Sequence, residues 1–153
     1  MPKYQETRIV PFTADEMYAV VADVERYPEF LPWCEGLTVL KRGEEGQVHV
    51  LTTEMAVAYH GLRERYVSRV RLDEDAATIE AFHVKGPFER LDTHWRFVPL
   101  GKGSEVRFAI DFAFRSALLS AVAGVAFGMV ASRMAAAFTA RADALYGSKL
   151  AQQ

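Results

Sequence analysis

Between Arg90 and Phe114 the chain alternates twice with great regularity. Leu91, Thr93, Trp95 and Phe97 fall on one side of an extended segment, and Arg90, Asp92, His94 and Arg96 on the other. After Gly101-Lys102-Gly103-Ser104, residues Val106, Phe108, Ile110, Phe112 and Phe114 oppose Glu105, Arg107, Ala109, Asp111 and Ala113. A period of two places successive side chains on opposite faces of a sheet, so one face is covered and the other solvated. The covered face is rich in bulky aromatics. Something long must lie across it.

The remaining punctuation extends this pattern into an α+β unit. Strands are expected at 3–10, 37–42, 47–56, 59–71 and 77–84, followed by the two alternating ones at 90–99 and 105–114. Turn signals separate them at Gly43-Glu44-Glu45-Gly46, Asp73-Glu74-Asp75 and Lys85-Gly86-Pro87. Short connections between successive strands imply an antiparallel meander. Thr13 is suited to cap a helix, with Glu16 three residues on as its capping-box partner and Met17, Val20, Val21 and Val24 as its apolar face. At 153 residues, half hydrophobic and a quarter charged, the chain fits one globular domain over 1–153.

The cover for the aromatic face is residues 116–146, rich in Ala, Leu, Val and Met and free of proline. From Ser116 to Ser132 there is no charged residue. Large apolar residues (Leu118, Leu119, Val122, Val125, Met129) share one side of the expected helix. Small ones (Ser120, Ala121, Gly124, Gly128, Ala131) share the other. A helix apolar all round is buried or meets lipid. The uncharged run is shorter than the roughly 20 residues a membrane span needs, so no span is expected. The small residues leave room for a ligand or a close partner, or pack against the first helix. Gly124 and Gly128 would let this half move.

One apolar segment is neither helix nor central strand. Tyr27-Pro28-Glu29-Phe30-Leu31-Pro32-Trp33-Cys34 holds three aromatics and two prolines, and each proline restricts both itself and the residue before it. Loops are usually polar and exposed. A stiff apolar connection is a wall, either a packed corner or the lip of a cavity for an apolar ligand.

Several function classes are excluded or disfavoured. The net charge of −2 gives no global field for nucleic acid, and DNA is not an expected partner. A single cysteine, Cys34, permits no internal disulfide and no cysteine-based zinc site. His49, His60, His83 and His94 are dispersed, without a close ligand pair. There is no nucleophile elbow, phosphate loop or dinucleotide fingerprint. No catalytic residue, catalytic cofactor or metal is assigned, and the protein is expected not to be an enzyme. The polar N-terminus has no apolar signal core, which makes a cytoplasmic bacterial protein the simplest reading. On segment 59–71, Arg63, Arg65, Arg69 and Arg71 share one face, opposite Leu62, Tyr66, Ser68 and Val70. Such a face is either a footprint for an anionic surface, through Arg63, Arg65 and Arg69, or a solvated sheet with cross-strand ion pairs.

The order strand, short helices, six strands and long C-terminal helix resembles the START-like, helix-grip superfamily. Within it, Tyr27-Pro28-x-Phe30-Leu31-Pro32-Trp33-Cys34 is similar to the signature of the coenzyme Q-binding START-like family, which also holds the ribosome association toxins of the RatA type. Tyr66-Val67-Ser68-Arg69-Val70, Gly86-Pro87-Phe88, Trp95-Arg96-Phe97, Phe112-Ala113-Phe114-Arg115-Ser116, Phe138 and Arg141-Ala142-x-x-Leu145-Tyr146-Gly147 also match. The resemblance spans nearly the whole chain. It implies a seven-stranded antiparallel curved sheet wrapped around a long C-terminal helix, with two short helices after the first strand and a deep cavity between sheet and helix.

The same resemblance implies ubiquinone, or a similar polyprenyl quinone, as the bound ligand. The protein would then be a lipid chaperone supporting respiration or quinone biosynthesis, in peripheral contact with the inner face of the cytoplasmic membrane. The expected lining is Tyr27, Phe30, Leu31 and Trp33 from the corner, and Tyr66, Phe88, Trp95, Phe112 and Phe114 from strands. Leu118, Leu119, Val122 and Met129 would complete it from the helix. Tyr27, Tyr59, Tyr66, Trp33 and Lys85 have the chemistry to meet quinone carbonyls near the mouth. The resemblance implies an alternative as well, a toxin that binds the large ribosomal subunit and blocks subunit association. A small-molecule cyclase or aromatase is a third possibility.

Overall fold

The computed structural model describes residues 3–59, 61–121 and 126–151, with backbone alone for 149–151. Seven strands form one sheet: β1 (Lys3–Val10), β2 (Cys34–Glu45), β3 (Val48–Tyr59), β4 (Leu62–Asp73), β5 (Thr78–Lys85), β6 (Phe88–Leu100) and β7 (Gly103–Phe114). Their order is β1-β7-β6-β5-β4-β3-β2, antiparallel throughout. The meander is as its turn signals predict, with the first strand brought round to pair with the last. Turns are tighter than expected. The β2–β3 hairpin closes at Gly46, whose φ of +63° suits a two-residue turn, so β2 runs through to Glu45. Tyr59 ends β3 instead of opening β4. Register shifts at Cys34/Gly36, Val39/Lys41, Val67/Ser68 and Phe88/Arg90 bend the sheet.

The helix α1 (Ala14–Ala22) begins at the expected capping box, in which Thr13 Oγ1 accepts from Glu16 N and Glu16 Oε1 accepts from Thr13 N. Its buried residues are Ala14, Met17, Val20 and Val21, and it packs on β5, β6, β7 and the C-terminal helix. A short 3₁₀ helix, Val24–Glu29, follows and carries Pro28. The corner is irregular only beyond it. Trp33 takes a left-handed φ of 64° and its carbonyl accepts from Ala58 N at 2.9 Å, which pins the corner to the end of β3.

The C-terminal cover departs most from expectation. Residues 116–146 do not form one described helix. Ser116 caps a single turn, α2 (Ala117–Leu119), and the long helix α3 runs over Phe127–Ala151. Val122, Gly124 and Val125 lie outside the described residues. The large residues expected in the lining divide: Leu119 reaches the cavity, but Leu118 and Met129 do not. Leu118 is 73% exposed and Met129 43%, whereas Ala131, Ala135, Phe138 and Ala142 are buried. Small residues at this spacing let α3 approach α1 and a sheet face already filled by aromatics. No helix among the described residues is long and apolar enough to cross a membrane.

Candidate functional site: an apolar cavity in the grip of the sheet

The concave face of the sheet, the corner and the start of α3 enclose a cavity of about 230 Å³. On the same measure one water needs only about 10–15 Å³. The corner contributes Tyr27, Leu31, Pro32, Trp33 and Cys34. Inward residues of β3 and β4 follow in two alternating series, Thr53, Met55, Val57 and Tyr59, and Leu62, Glu64, Tyr66, Ser68 and Val70. From β5, β6 and β7 come Ile79, Ala81, Phe88, Leu91, Thr93, Trp95, Phe108, Ile110 and Phe114, and α3 closes the space with Phe127, Val130, Ala131, Met134 and Phe138. The lining is overwhelmingly hydrocarbon. Trp33, Tyr59, Leu62 and Leu119 are partly buried lining residues where the corner, the β3–β4 hairpin and α2 come together.

Of the residues expected in the lining, Tyr27, Leu31, Trp33, Tyr66, Phe88, Trp95, Phe114 and Leu119 meet there. Phe30 does not. Its ring packs against Phe138 at 5.4 Å and under the Arg141 guanidinium at 5.2 Å, outside the cavity. Phe112 is also absent from the lining, because it stacks on Phe127 at 3.7 Å and is shielded by it. Leu118 and Met129 point away from the cavity, consistent with their exposure, and Val122 is outside the described residues. Several lining residues were missed: Met55 and Val57 on β3, and Phe127, Val130 and Met134 on α3. The period-two run 51–59 carries the β3 signal: Met55 falls inside the expected strand, and Val57 just beyond its expected end at 56. Nothing in the sequence marks where α3 starts.

The expected polar contacts at the mouth are mostly spoken for. The Tyr27 hydroxyl donates to Val21 O, and the Tyr66 hydroxyl donates to Met55 Sδ at 3.1 Å. Burial pushes both phenols well above their ordinary pKa, so both stay neutral. Lys85 is exposed and not in the lining. Burial likewise raises the Cys34 thiol, which keeps it a poor nucleophile. Tyr66 owes its position to Gly86. A Cβ there would lie 2.6 Å from Tyr66 Cβ, and φ is +144°, so only glycine fits beneath the ring.

On the convex face Arg63, Arg65 and Arg69 are all exposed. Arg63 reaches Glu35 at 3.8 Å and Arg65 reaches Glu54 at 3.3 Å. Arg71 pairs with Glu45, Arg90 with Asp111 at 3.0 Å and Arg107 with Glu105 at 2.8 Å. Arg69 has no ion-pair partner among the described residues. Most of this face is thus a lattice of surface pairs, each worth little to stability. No cluster of three or more potential metal ligands occurs among the described residues.

The polyketide cyclase / dehydrase and lipid transport family matches residues 10–139. The ribosome association toxin RatA of Rickettsia prowazekii is 32% identical over 145 residues, covering 93% of this chain and 97% of that protein. The mitochondrial coenzyme Q-binding protein COQ10 homolog B of Xenopus laevis is 34% identical over 152 residues, 95% of this chain and 59% of that one. Among solved structures, an 18 kDa protein of Caulobacter crescentus is 39% identical with a TM-score of 0.79, covering 96% of this chain and 99% of its own. A START superfamily protein of Mycobacterium smegmatis, 20% identical and matched over 94% and 98% of the two chains, shares the fold with a TM-score of 0.80. With its helix-grip sheet, its apolar cavity and these likenesses over nearly its full length, the chain belongs to the polyketide cyclase / dehydrase and lipid transport family, on the START-like branch that includes the RatA toxins and the COQ10 homologues.

Proposed function

We propose that this protein binds a polyprenylated quinone of the ubiquinone type in its cavity and carries it as a non-enzymatic lipid chaperone. The observation that carries the reading is the enclosed, almost wholly hydrocarbon cavity between sheet and α3. Each methylene buried there is worth about 0.8 kcal/mol, so even a partly enclosed isoprenoid tail binds well. The name of the Xenopus relative, a coenzyme Q-binding protein, supports the same ligand. Exposed Leu118 and Met129 adjoin the lining residues Leu119 and Val130 in sequence, and they suit a transient peripheral contact with a bilayer at the inner face of the cytoplasmic membrane. Lipid mass spectrometry of the protein purified from its own host tests the reading. A quinone near stoichiometry is expected. Its absence there and after incubation with quinone-loaded vesicles refutes the proposal.

A second reading rests on a separate observation. RatA-type relatives are named as ribosome association toxins, and Arg63, Arg65 and Arg69 stand exposed on the convex face, away from the cavity. Under this reading the convex face contacts the large ribosomal subunit. Co-sedimentation with ribosomal subunits at low salt, lost on adding salt, is the expected result. Both readings can hold for one molecule, because they use opposite faces of the sheet.

A further inference from the structure

Three polar side chains on the concave face are not explained by packing. Thr53 on β3, Ser68 on β4 and His83 on β5 are matched in register, Thr53 opposite Ser68 and Ser68 opposite His83. Directly opposed residues on one face hold their Cβ atoms about 5 Å apart, so the three form one row across the strands. The neighbouring rows set no two hydroxyls side by side: Leu51, Val70 and Ala81, with Thr93 next on β6, lie toward one end, and Met55 and Tyr66, already bonded to each other, toward the other.

Thr53 and Ser68 are only 4% and 7% exposed, and both line the cavity. Neither hydroxyl has a hydrogen-bond partner among the described residues. His83 lies outside the lining, against Phe88 at 5.5 Å, and both its ring nitrogens are buried without a well-formed hydrogen bond, the Gly86 backbone included. Hydroxyls in a hydrocarbon setting cost stability unless something bonds them. Here two stand side by side in a largely apolar cavity, whose other polar lining residues include Glu64 and Thr93.

We infer that the Thr53–Ser68 row, flanked by His83, is the recognition site for a neutral ring carbonyl or hydroxyl, so that a polyprenylated quinone enters ring first. The inference rests on the cavity reading above and adds an orientation to it: ring at mid-cavity, tail running out past Trp33, Tyr59 and Leu119. Hydroxyls both donate and accept. The row therefore suits the carbonyls of a quinone and the hydroxyls of its reduced form alike. A fatty acid is disfavoured in the same pose, because among the described residues Glu64 is the one charged group of the lining, and a buried carboxylate would meet no counter-charge there.

The test compares two probes that share a decyl chain, decylubiquinone and 1-phenyldecane, by calorimetry on the parent protein and on the Thr53→Val, Ser68→Ala double variant. Both replacements keep the shape and remove an unpartnered polar group, so the variant should melt no lower than the parent. Decylubiquinone should bind about tenfold or more weaker to the variant, from the typical worth of a hydrogen bond, with 1-phenyldecane unchanged. In the parent, the infrared carbonyl stretch of bound decylubiquinone should shift to lower frequency, and in the variant it should return. Unchanged affinity for decylubiquinone, or an equal loss of both probes, overturns the recognition row and leaves the apolar cavity standing. Failure of the parent to bind either probe overturns the cavity reading itself.

Discussion

The concave face is built the same way from end to end, yet one end is a packed core and the other a cavity. At the packed end Phe97 is 2% exposed, meets Tyr18 edge-on at 5.8 Å, and shares the interior with Met17 and Val21 of α1. Ser104 is fully buried there and donates to Phe12 O at 2.8 Å. At the open end Trp33, Tyr66 and Phe114 are equally large and equally inward, but each keeps a face on the cavity. The strands do not differ. What differs is the lid: α1 presses on β5, β6 and β7, whereas the corner, pinned to β3 only at its end, and the start of α3 leave the cavity open over β3 and β4. Alternation decides which side chains point inward, and the opposing element decides whether they become core or lining.

Truncation should break the molecule at one end and only hollow it at the other. Phe97→Ala is expected to cost about 3–5 kcal/mol, the range for a large aromatic lost from a tight core. Phe114→Ala, which already faces open space, should cost about 1–2 kcal/mol while sharply weakening decylubiquinone binding. Trp95 sits between the two regimes. It lines the cavity, but it is 7% exposed and packed on Phe108 at 4.4 Å and Phe138 at 5.1 Å, so Trp95→Ala should fall in the core range. Urea unfolding of all three ranks them, and equal costs for Phe97 and Phe114 would erase the distinction between the ends.

Overfilling gives the converse. Ala135→Phe on the buried side of α3 should lose about 1–3 kcal/mol through strain. Ala81→Phe projects into the cavity, should leave stability nearly unchanged, and should abolish uptake of decylubiquinone. Thermal melts paired with a binding assay read both effects.

A smaller effect concerns alkali. The Tyr27 phenol is raised by burial, and Tyr66 and Cys34 nearby add to the shift. A group whose pKa is higher when folded contributes fully below its unfolded value, near 10, and loses that contribution as pH climbs toward the folded value. Stability should therefore fall above pH 10, and Tyr27→Phe should make that fall shallower in urea titrations at stepped pH. The smallest effect on stability belongs to the convex face. Reversing Arg63, Arg65 and Arg69 to Glu should shift stability by no more than about 0.5 kcal/mol per site, while removing any salt-sensitive binding to ribosomal subunits or anionic vesicles. If the parent binds neither above background at low salt, that face is solvated surface alone.

The sheet was legible because alternation and turns are local signals. Trp95, Phe108 and Phe114 point inward as their spacing predicts, and the Thr13–Glu16 cap begins its helix as expected. Less legible were features set by what stands opposite. Leu118 and Met129 are expected in the lining, but the turns of α3 over the aromatics present Phe127, Ala131, Ala135 and Phe138 instead. Phe30 and Phe112 have the right chemistry and the wrong neighbours. The pairing of Thr53 with Ser68 is hidden for a third reason. Each is an unremarkable polar residue in its own strand, and only the pairing register sets them side by side.

The pairing of β1 with β7 joins the two ends of the sheet sequence, Lys3 opposite Asp111 and Val10 opposite Ser104. Closing a loop of that length is entropically costly, and folds rich in such contacts form slowly. During synthesis the first strand and α1 emerge with no partner, since β1 pairs with β7 and α1 packs on β5 to β7. Chains truncated before Gly103 should remain open to protease over β1 and α1, and protection should arrive only once β7 is present. A vectorial process thus yields an all-at-once fold, and the buried strip of α1 is the stretch most in need of a chaperone while it waits.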